Sequence, residues 1–469
     1  MLKGIVAAGT LALLAAAGAR AANDGVVDIN QGETLFKGFF DVGQIVHGFN
    51  EETGRDYKMQ TLRRANVLVT RGGKLSEHLE TKMGLMGVFF YVLPEQDGAP
   101  HTRLPKFAVV PVSAALVGHF GGETASPLMD LELGIFQYKY NPDATNLGEY
   151  LLRSGTYPGY LVTGGFNIIN SASTQVQGAA FHLNLMANRF KTSFLLPMES
   201  AMPPMHSISP TLVTTYKMPG LEVGAGVSFN HLISAKPSKE KPNPHDPSTT
   251  PDYMDWPTSI IKEVKKIKVP DASAPGGTRD SVVIIRDTTD FYTFQGTKLM
   301  GRMTLDPKAW FGGSEILRPA DLRLFFEAAV LGVDNYPFYY PDISRRIPMM
   351  FGMNVPTFGL LDLLSVQGEY YNSLWANNID GVFEFQRPVP YHPDYDPANG
   401  PETTADRARR DAWHWSVLAR RDLVKGASIF LQVANDHMRT FDYNIKPIKI
   451  PVTSRPSDFY YLFRIDVAI

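Results

Sequence analysis

Apolar and polar positions alternate with period two along most of this chain. The stretch from Asp458 to Ile469 shows it plainly. Phe459, Tyr461, Phe463, Ile465, Val467 and Ile469 share one parity, while the other parity holds all the charges, Asp458, Arg464 and Asp466. Successive side chains on a strand point to opposite faces, so this is a two-faced strand. The same reading predicts about sixteen strands, near 34–46, 57–71, 74–92, 106–119, 128–140, 176–187, 190–199, 208–218, 221–235, 289–305, 320–334, 347–358, 361–376, 412–422, 426–438 and 458–469. Many exceed the five or six residues usual in globular sheets. A tilted strand crossing a bilayer needs about nine to eleven.

The connections alternate too. Short ones are Arg71–Lys74 ("RGGK"), 121–126, 187–189, 218–220, 357–359 and 422–427, with 306–319 in the same class by parity. After the polar loop "HGFNEETGRD", the long ones are 93–105, 141–175, 199–207, 236–288, 335–346, 377–411 and 439–457. This pattern predicts an all-β protein: a transmembrane antiparallel β-barrel with short periplasmic turns and long extracellular loops. The strand-like "GYLVTGGFNIIN" (159–170) is assigned to the 141–175 loop, because a seventeenth strand would reverse the alternation. Six prolines between 236 and 258 exclude a barrel strand there. The apolar runs that follow, around 259–268 and 281–287, could pair as a hairpin, or the first could form a basic amphipathic helix. Pro111 falls inside a spanning strand, so a bulge is expected beside it.

Parity assigns the faces. Leu322, Leu324, Phe326, Ala328 and Val330 oppose Arg323 and Glu327; Met83 and Leu85 oppose Glu80 and Lys82; Leu299 and Met303 oppose Lys298 and Arg302. In a membrane barrel the apolar side meets lipid. The expected lumen-facing set is therefore Arg64, Glu80, Lys82, Lys298, Arg302, Arg323, Glu327, Glu369, Arg464 and Asp466. A soluble sandwich would alternate as well. Strand length, alternating loop lengths and aromatic residues gathered at strand ends ("NYPFYYPD", "DFYY") favour the barrel.

Composition narrows the partners. Residues 1–22 carry Lys3, an apolar run and a small-residue site ending Ala19-Arg20-Ala21, which reads as a secretory signal peptide. The expected barrel domain is 23–469, with 236–288 and 377–411 as long extracellular loops. The chain has no cysteine. Without Lys3 and Arg20, 43 basic residues face 47 acidic ones, too near neutrality to suggest nucleic acid. Scattered histidines and absent cysteines show no metal-ligand spacing, and no nucleophile–base pairing is recognisable. Neither enzyme activity nor a cofactor is expected. The dozen or so residues before the first strand are too few for a plug domain.

Two segments carry a family resemblance. "LRRANVLVTRGGKLSEHLETKMGLMG" (62–87) and "LELGIFQYKYNPDATNLGEYL" (131–151) resemble stretches of Gram-negative outer-membrane porins of the phosphate-selective porin O/P type. The terminal strand also resembles the assembly signal of such proteins, although those typically end in Phe and this chain ends in Ile469. The resemblance implies a sixteen-stranded barrel in the outer membrane, often a homotrimer, with a loop folded inward. It also implies outer-membrane lipid and the barrel-assembly machinery as partners.

The expected function is passive diffusion of small hydrophilic solutes. The two signs of lumen-facing charge balance, so weak ion selectivity is expected. The 141–175 loop is the candidate constriction, with Glu149, Arg153, Tyr157 and Tyr160 as its candidate residues. The alternative is an occluded structural or adhesive barrel acting through its extracellular loops.

Overall fold

The computed structural model describes residue 29 and residues 32–50, 55–92, 106–123, 126–145, 147–153, 174–198, 207–230, 232–233, 258–270, 276–292, 296–311, 316–333, 343–371, 413–435 and 457–468. The 1–22 segment, residues 159–170 and the 377–411 loop lie outside them.

The strands are β1 (Thr34–Asn50), β2 (Arg55–Ser76), β3 (Leu79–Val92), β4 (Lys106–Glu123), β5 (Ser126–Tyr138), β6 (Thr174–Leu185), β7 (Phe190–Pro197), β8 (Thr211–Met218) and β9 (Leu221–Asn230). They continue with β10 (Thr258–Pro270), β11 (Thr278–Tyr292), β12 (Gly296–Leu305), β13 (Arg323–Val330), β14 (Pro348–Asn354) and β15 (Leu363–Tyr371). The last are β16 (Trp413–Val424), β17 (Ala427–Asn435) and β18 (Phe459–Ala468). Sixteen of them close into one antiparallel barrel, with β1 paired to β18. β10 and β11 form a separate two-stranded sheet, so the 259–268 run is a hairpin strand and not a helix.

Sequence and structure differ at some edges. β2 runs straight through the Gly-Gly pair, with Gly73 opposite Thr81 and Lys74 opposite Glu80, so the turn falls at Glu77–His78 and not at "RGGK". Glycine in a strand need not mark a turn when its neighbours hold the ladder. The strand expected at 289–305 is split: 289–292 belong to β11 and β12 starts at Gly296. Leu322 lies just before β13 with a positive φ of 56°. The bulge expected at Pro111 is present. Gly84 faces Ser113 and Leu85 faces Pro111, leaving Val112 as the extra residue.

Burial alternates along the wall, most cleanly on β12, β14 and β18. The exposed parity is apolar: Phe40, Met83, Phe326, Phe351, Phe463 and Ile465. That outward belt suits the hydrocarbon of a bilayer. The inner parity is mixed. It carries Arg302, Glu327 and Arg464, but also Phe39, Leu68, Met86, Met350 and Leu462.

The closing seam is tied by charge. Arg464 on β18 makes a forked pair with Asp41 on β1, one arm at 2.9 Å, and its guanidinium lies 4.9 Å from the Phe39 ring centroid. Lys37 pairs with Asp466 at 2.9 Å, and His47 with Asp458 at 2.7 Å.

Candidate functional site

The site begins where β5 and β6 leave the regular wall. Gly134 and Gly178 are opposite each other, with φ of 125° and 152°. Such angles suit only glycine inside a strand. Beyond this pair the hairpin folds over its own inner face. Tyr138 is aligned with Thr174, yet its ring stacks on that of His182, eight residues along β6 from Thr174, at 5.8 Å between centroids. Phe136 and Val176 pack there with Ala115, Ala180 and Leu195.

From Tyr138 the chain crosses the barrel and docks on β12–β15. Its landing point is Glu327 on β13, which is completely buried. The Glu327 carboxylate accepts hydrogen bonds from Tyr140 Oη at 2.7 Å, Asn141 Nδ2 at 2.8 Å and the Tyr150 amide at 2.9 Å. Tyr150 opens a one-turn helix, α1 (Tyr150–Arg153), and its hydroxyl donates to Glu369 on β15 at 2.9 Å. The Leu151 amide donates back to Tyr140 Oη at 3.0 Å. Gly148 passes so close that a Cβ would lie 2.6 Å from Met350 Cε. Hydrogen bonds to a buried carboxylate contribute about 1.5–3 kcal/mol each, so this one side chain is the main anchor of the crossing.

A second anchor holds the loop's first turn. Arg323 on β13 donates to Asp143 Oδ1 at 2.7 Å, and Thr304 on β12 donates to Asp143 Oδ2 at 3.1 Å. Burial nonetheless pushes the Asp143 carboxyl above its ordinary range, the Arg323 guanidinium acting in the opposite direction. Burial, reinforced by Glu327 and Glu149, likewise holds the Tyr140 phenol far above its ordinary value. Tyr140 is therefore neutral and free to donate. Gln367 on β15 accepts from the Leu147 amide at 3.3 Å.

The four candidate constriction residues fare differently. Glu149 does not offer its charge to a pore. It is completely buried at a positive φ of 61°, and its carboxylate accepts from the backbone amides of Asn141 (2.5 Å) and Tyr140 (3.4 Å). It staples the loop to itself. Arg153 ends α1, and Tyr157 and Tyr160 lie outside the described residues.

Most of the wall charges sit in pairs. Lys82 meets Glu132 at 3.2 Å, Glu80 meets His119 at 3.2 Å, and Arg302 meets Glu222 at 2.5 Å. Arg323, Glu327 and Glu369 hold the loop, and Arg464 and Asp466 sit at the seam. Lys298 is fully buried on β12. Arg64 is opposite Asp41 in the β1–β2 ladder.

Parity reasoning found Glu327 and Glu369 as wall residues but missed their role as loop acceptors. It did not single out Tyr140, Asn141, Asp143 or Tyr150 as site residues. The one local signal was turn chemistry, Asn141-Pro142-Asp143 and Gly148. Among the described residues no group of acids and histidines could hold a metal ion.

No protein-family profile and no curated protein matches the chain. Solved porins are similar to it. A mutant of the Rh. blastica porin is 6% identical over 93% of this chain and 99% of its own, with a TM-score of 0.41. Salmonella typhi OmpF, in complex with daunomycin, is 10% identical over 96% and 99%, with a TM-score of 0.43. Likeness this distant leaves the function to the chain's own residues.

Proposed function

We propose that the protein is a passive diffusion channel of the bacterial outer membrane for small hydrophilic solutes, narrowed by the 139–153 loop. The observation that carries this reading is the Glu327 anchor, which draws three donors of one loop onto the inner wall across the barrel. A barrel working only through its outer loops has no need of such a crossing.

Selectivity in this reading is weak. Inward cations are matched by carboxylates, as in Lys82–Glu132, Arg302–Glu222 and Arg464–Asp41, whereas selective filters use rings of one sign. Phosphate preference is therefore not part of the proposal. The proposed partners are outer-membrane lipid, the barrel-assembly machinery through the C-terminal strand, and two further copies in a homotrimer. A signal peptide over 1–22 and a barrel domain over 23–469 are part of the proposal. The chemistry proposed is permeation, not catalysis.

The test is single-channel current of the refolded protein in a planar bilayer under a salt gradient. Discrete steps with a small reversal potential are expected. A folded barrel that gives no steps would replace this reading by the occluded one. One observation favours that second reading: Lys298, Met350 and Arg464 on the inner wall are completely buried. Deleting the 236–288 and 377–411 loops separates the two, since a channel keeps conducting and an adhesin loses surface binding.

A further inference from the structure

The inner face of β5–β7 holds a cavity of about 340 Å³ that the loop anchors do not use. Its functional lining is Asp130, His182, Asn184, Lys191 and Ser193. Register brings them together. Asp130 is opposite His182 across β5–β6, and His182 and Asn184 are opposite Ser193 and Lys191 across β6–β7. The five stand close to the short turn after β6.

The two charges are held apart and prepared. His119 Nδ1 lies 2.6 Å from Asp130 Oδ1, while among the described residues Oδ2 has only a long contact from Asn184 Nδ2 at 3.4 Å. Lys191, two strands away, is exposed and has no ion pair among the described residues. Between them His182 Nδ1 and Ser193 Oγ are hydrogen-bonded at 2.8 Å, and Tyr138 stacks on the imidazole. The charged ends still have capacity for a further partner.

Ligand pockets span roughly 300–1,000 Å³, so this cavity suits a solute of few atoms. A simple anion would pair with Lys191 alone and a simple cation with Asp130 alone, each leaving the other charge unmatched. A solute carrying both signs matches both. We infer that this cavity is a binding station for small zwitterions of the amino-acid class, the solute ammonium on Asp130 and its carboxylate on Lys191. The hydroxyl of Ser193 and the amide of Asn184 supply further polar contacts. As a station on a transport route the inference rests on the channel reading; as a binding site it stands by itself.

The test is isothermal titration calorimetry of the full-length folded barrel in detergent, with glycine as probe and glycerol, acetate and methylammonium as controls. Glycine should bind and the three controls should not. Lys191→Gln, a surface substitution, should weaken glycine binding about tenfold, the loss of one charged contact. No binding of glycine, equal binding of glycerol, or equal affinity in K191Q would overturn the inference. Planar-bilayer steps without glycine binding would keep the channel and remove the station. Glycine binding without steps would do the reverse.

Discussion

Gly134 and Gly178 stand directly opposite each other on β5 and β6, and both have positive φ. This pair turns the hairpin over its own inner face and sends the following loop across the barrel. A Cβ at Gly134 would lie 2.1 Å from the Ala114 carbonyl oxygen, and one at Gly178 would lie 2.1 Å from that of Leu196. Both obstacles are backbone and cannot step aside. Gly134→Ala or Gly178→Ala should each cost about 1–3 kcal/mol through backbone strain. Urea unfolding followed by heat-modifiable gel mobility measures this. Wild-type stability in both variants would show that the glycines are dispensable.

Glu327 should set how firmly the loop sits. Glu327→Ala leaves Tyr140, Asn141 and the Tyr150 amide without their acceptor inside the barrel. The expected loss is about 3 kcal/mol of docking, enough to raise single-channel conductance and open-state noise. Limited proteolysis within 139–153 should speed up in parallel. Unchanged cleavage and conductance would mean that the loop is held elsewhere.

Arg464 and Asp41 should act as one unit at the seam. Asp41→Ala removes both arms of the fork from the buried Arg464 guanidinium, leaves Asp466 at 3.9 Å as a poorer partner, and should cost about 3 kcal/mol. Replacing both partners, as in Asp41→Ala with Arg464→Met, should recover much of that, because no uncompensated charge is left. A double-mutant cycle in urea tests it, and strict additivity would count against a coupled pair.

Asp143 gives the loop a pH dependence of definite sign. Burial raises its carboxyl above the ordinary value of 3.8, so the docked loop favours the protonated form. Docking is therefore strongest below the ordinary value and weakens as pH rises through the raised one. Asp143→Asn should remove this dependence, giving conductance that stays flat with pH over the acidic range. A wild-type titration equally flat would refute it.

Alternation and loop length were local facts, and they were sufficient for much of the barrel. Period two put Phe463 and Ile465 outside and Arg464 inside. The pairing of β18 with β1 agrees with the even strand count. Pro111 announced its bulge because a closed sheet leaves proline no free edge. The Gly72-Gly73 pair misled, since a glycine dipeptide reads as a turn only when no ladder holds it. The same applies to Glu149, which as a loop carboxylate near the pore gave no local sign that it would turn back on two amides.

What the chain by itself determined is the outward apolar face of the strands, roughly where they lie and most of the short links. These depend on neighbours one or two positions away. Only the tertiary structure decided what the inward face does. Tyr140 and Glu327 are 187 residues apart, and Tyr150 and Glu369 are 219 apart. No periodicity records such contacts. They follow from barrel closure, which brings the loop after β5 against β13 and β15, where a buried carboxylate must find donors.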